Sequence, residues 1–190
     1  MAKEAETKTQ PKIQTKYSVD FRNIKYPRLE FKTGTLLLVL PKTGEDEKEI
    51  LKKHRKWILE KELYIKKALE KSKEKKLNQI RTVDEFKKII DEVAIEYQKE
   101  LMTRINAIFF KEMKTKWASY SQKGNLTINT LMNYLPDELI EYILFHEVCH
   151  SLERKHNRSF WSIVGRKFTN FSEKEEELFI YWFAVQQNLH

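Results

Sequence analysis

The chain has 190 residues, 41% of them hydrophobic and 12% aromatic, with 34% charged and a net charge of +8. This is the composition of a globular protein long enough to bury a core, and no apolar run approaches the roughly 20 residues needed to cross a bilayer. A single cysteine, Cys149, excludes an internal disulfide, and the N-terminus lacks the apolar stretch of a secretory signal, so a reducing, cytoplasmic location is expected.

Residues 1–16 are polar and without periodicity, and read as a disordered tail. No repeat or Gly/Ser linker divides residues 17–190, which are expected to form one domain with a β-hairpin region (17–44), long helices (45–105) and a C-terminal core (106–190). In the first part, Tyr17, Val19 and Phe21 alternate with polar residues, and Lys32-Thr33-Gly34 suits a hairpin turn before Leu36-Leu-Leu-Val-Leu40. One charged helix is predicted over residues 45–76, with Ile50, Trp57, Ile58 and Ile65 on its apolar stripe. Lysines outnumber arginines and alternate with glutamates there, which favours a solvated helix over a phosphate-gripping patch.

A second helix is predicted over residues 83–105, because Val83, Phe86, Ile90, Val93, Tyr97, Leu101 and Ile105 recur at steps of three or four. Thr82 with Glu85 forms a capping box at its start. Strands follow over residues 108–113 and 125–129, the second entered through a Lys123-Gly124 turn. Pro136, Asp137 and Glu138 open the next helix, and Asn157-Arg-Ser159 starts another. The last helix, residues 173–188, carries Leu178, Phe179, Trp182, Phe183 and Val185. The fold class expected is α+β, a small antiparallel or mixed sheet packed on helices.

The helix opened by Pro136 contains His146-Glu147-x-x-His150, with His156 six residues further on. One helical turn separates His146 and His150, so both imidazoles can hold one ion, and Glu147 can reach a water on it. Neutral imidazoles suit zinc, and three protein ligands leave a fourth position for chemistry. Cys149 lies on another part of the helix surface, so the site reads as catalytic, not structural. His54 and His190 sit in charged or terminal surroundings and carry no such reading.

Trp117-Ala-Ser-Tyr-Ser121, Gly124-Asn-Leu-Thr-Ile-Asn129, Leu135-Pro136, the His146–His156 stretch and Phe160-Trp161 together resemble the YgjP-like metallopeptidases, relatives of the SprT and WLM zinc proteases. The resemblance implies a zincin-like domain with His146, His150 and His156 on zinc and Glu147 as general base. This chain has Ala118 and Tyr120 where the family has Gly and Cys. The spacing of the three histidines equals that of the metzincins, but Glu153 stands where those enzymes place a glycine, so a different turn is expected. Glu173, Glu175, Glu176 and Glu177 are competing third ligands; His156 is preferred for its proximity in sequence and its match to the family.

The leading function is a zinc-dependent peptidase acting on polypeptides. Leu126, Thr127, Ile128 and Asn129 are expected to form an edge strand on which a substrate pairs. Arg158, Tyr120 and Tyr181 are candidate oxyanion donors. Two other readings stand beside it: a nucleotide pyrophosphatase of the UTP type, which the resemblance brings in for some members, and a non-catalytic zinc module binding DNA or protein through the basic surface. No Walker loop, magnesium-binding carboxylate cluster or helix-turn-helix signature supports either. The sequence leaves the oligomeric state open.

Overall fold

The computed structural model describes residues 16–32 and 34–189. The tail expected over residues 1–16 lies, apart from Lys16, outside them, as do Thr33 of the expected turn and His190. The described residues form six α-helices, a 3-10 turn and two three-stranded sheets, an α+β architecture. Two compact units divide the chain, Met1–Ile65 and Lys66–His190.

In the first unit, β1 (Tyr17–Arg22) pairs in parallel with β3 (Thr35–Pro41), and β2 (Arg28–Lys32) pairs with the other side of β3 in antiparallel. The hairpin is therefore β2–β3, with β3 at the centre, which explains its nearly continuous apolar run: Leu36, Leu38, Val39 and Leu40 are all buried. Where one helix was expected there are two, α1 (Glu47–Lys53) and α2 (Arg55–Ser72), separated at His54. Leu36, Leu51 and Ile58 form the small core of this unit, covered by Leu29, Phe31 and Trp57.

The second unit contains the larger core. α3 (Val83–Glu100) starts at the expected capping box: the Thr82 hydroxyl accepts from the Glu85 amide, and the Glu85 carboxylate accepts from the Thr82 amide at 2.8 Å. It stops before Ile105 because Met102 turns the chain with φ +46°. Its buried face is Phe86, Ile90, Ala94 and Tyr97.

β4 (Ala107–Lys111) runs parallel to β6 (Asn125–Asn129), and β5 (Ala118–Tyr120) runs antiparallel to β6 on its other side. Gly124, at φ +72°, makes the turn into β6; a Cβ there would stand 3.1 Å from the Asn106 amide nitrogen. β6 is thus central, not an edge, and both its sides are taken by β4 and β5. The expected pairing of a substrate along Leu126, Thr127, Ile128 and Asn129 therefore does not hold. Leu126 and Ile128 are core, and Asn129 is a buried amide bonded to Met113, Lys116 and Leu131 main-chain groups.

The 3-10 turn Thr130–Tyr134 leads into α4 (Asp137–Cys149), whose first turn is held by Arg81 through the Asn133 and Leu135 carbonyls and the Asp137 carboxylate. Eight of its thirteen residues are buried, so α4 is apolar almost all round and lies inside the unit. It packs on α3, β5, α5 (Arg158–Lys167) and α6 (Phe171–Leu189). At about 1.5–3 kcal/mol for each large apolar side chain removed from water, this one helix carries much of the core. Among the described residues no helix is long and apolar enough to cross a membrane.

Candidate metal centre

The last turn of α4 and the loop after it bring His146, His150 and His156 together, with ligand-capable atoms all within 4.8 Å of one another. Among the described residues this is the one group of three or more His, Cys, Asp or Glu side chains arranged in this way. His146 Nε2 lies 2.9 Å from His156 Nε2. Two imidazoles sharing a tetrahedral zinc at its usual bond length stand roughly 3.3 Å apart, so a small separation of the rings fits the ion.

His156 returns to the helix by a short turn. The amides of Leu152 and Glu153 donate to the Cys149 carbonyl, and the Asn157 amide donates to Lys155. Asn157 then caps α5, its side chain accepting from the Phe160 amide. Met102 is the one non-glycine residue with positive φ among those described, so Glu153 turns without left-handed backbone. Its carbonyl lies 3.1 Å from His150 Nδ1, which leaves Nε2 as the ring nitrogen open to a metal.

Aromatic rings hold the trio in place. His150 stacks on Phe160 at 4.6 Å and 24°, and His156 stacks on Trp161 at 5.6 Å and 26°. Trp161 is backed in turn by Phe171 at 5.0 Å. Burial lowers the pKa of both His150 and His156, with the neighbouring rings adding to the effect, so both favour the neutral form that binds metal.

Glu147 turns its carboxylate to β5, where one oxygen accepts from the Tyr120 amide at 2.8 Å. Burial raises its pKa; the His146 ring, the Tyr120 amide and Lys116 pull the other way without cancelling the rise. A cleft of about 410 Å³ runs past these groups, with β5, Lys116, Gln122 and Arg154 on its walls. A larger groove of about 610 Å³ lies in the first unit beside His54 and Trp57, but it has no converging ligand trio.

Residues 60–180 match the YgjP-like metallopeptidase domain. The chain belongs to the YgjP-like metallopeptidase family. Metal-dependent peptide hydrolysis is therefore its activity class. The YgjP-like chain is also similar to two crystallised archaeal metallopeptidase zymogens. Abylysin of Pyrococcus abyssi is 25% identical, with 46% of this chain and 88% of that one covered and a TM-score of 0.41. Jannalysin of Methanocaldococcus jannaschii is 30% identical, with 55% and 96% covered and a TM-score of 0.40. No curated protein matches the chain.

Several candidates in this YgjP-like domain face elsewhere. The Tyr120 hydroxyl donates to the Arg104 carbonyl, that of Tyr181 lies 3.5 Å from the Lys76 carbonyl, and Arg158 is not among the cleft residues. Glu176 pairs with Lys71 and Glu177 with Lys75. Glu175 approaches His146, but on Nδ1 (3.4 Å), away from the Nε2 that meets His156. The sequence pointed to Phe160 and Trp161 only through the family resemblance, and offered no signal for Lys116 or Arg154.

Proposed function

We propose that this chain is a zinc-dependent peptidase in which His146, His150 and His156 hold the ion and Glu147 is the general base. The observation that carries the reading is the position of Glu147, next to His146 in sequence and in the same cleft as all three histidines. Zinc bound there supplies Lewis-acid polarisation of a peptide carbonyl and makes water acidic enough to ionise near neutral pH. Glu147 takes the proton of the attacking water and passes it to the leaving amide nitrogen. The Tyr120 amide fixes the direction of the carboxylate.

An extended polypeptide finds its edge strand at β5 in place of β6. β5 borders the cleft, and its Ser121 and Trp117 main-chain groups bond to β6, so the Ala118 main-chain groups and the Tyr120 carbonyl face away from β6, while the Tyr120 amide is held by Glu147. Peptides N-methylated at single positions should lose affinity at alternate residues; uniform tolerance of methylation would rule out strand pairing.

Lys116 and Arg154 on the cleft wall also suit a phosphate, so the assay offers two substrates. Zinc-loaded wild type and Glu147→Gln are compared on an unfolded protein and on a nucleoside triphosphate. Peptide cleavage lost in the variant supports the peptidase; Glu147-dependent phosphate release alone replaces it with the pyrophosphatase reading.

A further inference from the structure

His146 is the one histidine of the trio whose outer nitrogen is buried without a normal hydrogen bond. Glu175 Oε1 on α6 lies 3.4 Å from its Nδ1. The same oxygen accepts the Tyr142 hydroxyl at 2.6 Å. Tyr142 is fully buried and lies one turn before His146 on α4, so a single carboxylate oxygen from another helix serves positions i and i+4 of the metal helix. A buried phenol and a buried imidazole N–H both need an acceptor, and leaving either without one is costly.

From these contacts we infer that Glu175 is a positioning residue for the metal centre: fixed by Tyr142, it holds His146 as the Nδ1–H tautomer with Nε2 presented to the ion. The inference rests on the proposed role of His146 as a ligand. A carboxylate behind a ligating imidazole sets ring orientation and raises ligand basicity. Joining α4 to α6 does not require this contact, because Leu178 and Tyr181 of α6 are buried in the same core as α4, and Lys174 lies 3.7 Å from Glu138. Of the neighbouring glutamates, 176 and 177 pair with lysines, whereas Glu175 meets His146.

The test measures zinc affinity by chelator competition, the visible spectrum of the cobalt-substituted protein and thermal unfolding of the metal-free chain. Glu175→Ala is expected to weaken zinc binding about ten- to a hundred-fold and to alter the cobalt spectrum. Glu175→Gln keeps an oxygen acceptor and should restore affinity to within a few-fold of wild type. Tyr142→Phe should weaken binding in the wild-type background and add nothing to Glu175→Ala, since it acts through that residue. Affinity and spectrum unchanged in Glu175→Ala, with only the metal-free melting temperature lowered, would overturn the inference and leave a helix tie. A wild type that takes up no zinc, or a His146→Ala variant that binds it as well as wild type, would overturn the metal reading itself and this inference with it.

Discussion

His146 Nε2 and His156 Nε2 stand 2.9 Å apart although ten positions separate them in the chain. One is on the last turn of a buried helix and the other on an exposed loop, so the contact depends on how the chain leaves α4. The turn from Cys149 to Asn157, which ends where the Asn157 side chain caps α5, closes that distance.

His156→Ala should therefore lower zinc affinity by at least ten-fold, whereas Glu173→Ala and Glu176→Ala should leave it unchanged within about two-fold. Titration against a chromophoric chelator checks this. Equal retention in the His156 variant and wild type would remove it from the ligand set.

Glu147→Gln should reduce peptide turnover by about 10²–10⁴-fold while zinc still binds one per chain. The glutamine keeps the size of the side chain and an acceptor for the Tyr120 amide, so the fold should persist. Single-turnover cleavage with metal analysis of the same sample separates lost chemistry from lost metal.

Phe160→Ala should destabilise the protein by about 3–5 kcal/mol in denaturant unfolding, the usual cost of emptying an aromatic core site. Phe160 is fully buried and touches all three histidine rings. The same variant should bind zinc more weakly, because the rings lose the surface that orients them. A stable variant with wild-type affinity would show that the loop alone orders the trio.

The capping box of α3 gives a prediction on the acid side. The Thr82 amide, and after it the Thr82 hydroxyl, holds the Glu85 carboxyl below its ordinary pKa. A carboxyl depressed in the folded state stabilises above its unfolded value, about 4.3, and that contribution is lost as pH falls through the folded value. Wild type should thus lose stability relative to Glu85→Gln as pH drops from about 5 toward 3, with no such divergence between pH 6 and 8. Parallel melting curves across that range check the sign. Thr82→Ala, which removes the cap hydroxyl, should cost about 1 kcal/mol at neutral pH.

Features governed by neighbours in the chain were legible in the sequence. The histidines of His146-x-x-x-His150 share a face because a helix repeats every 3.6 residues. Thr82 and Glu85 announced the start of α3 because a cap is made within one turn. The division of residues 45–76 at His54 escaped the periodicity argument, since neither proline nor glycine marks that position.

Long-range pairing was decided only in three dimensions. Period-2 alternation shows that residues 125–129 form a strand but is silent on whether its sides are free; parallel pairing with β4 and antiparallel pairing with β5 made it central and left β4 and β5 as the edges, of which β5 borders the cleft. Four glutamates near the start of α6 were equivalent as candidates in one dimension. The packing of α6 on α4 turned Glu175 to the outer nitrogen of His146, while its neighbours met lysines. Helical periodicity and capping are set by bonds within a turn, whereas strand order and the aim of a carboxylate depend on which distant surfaces exclude water together.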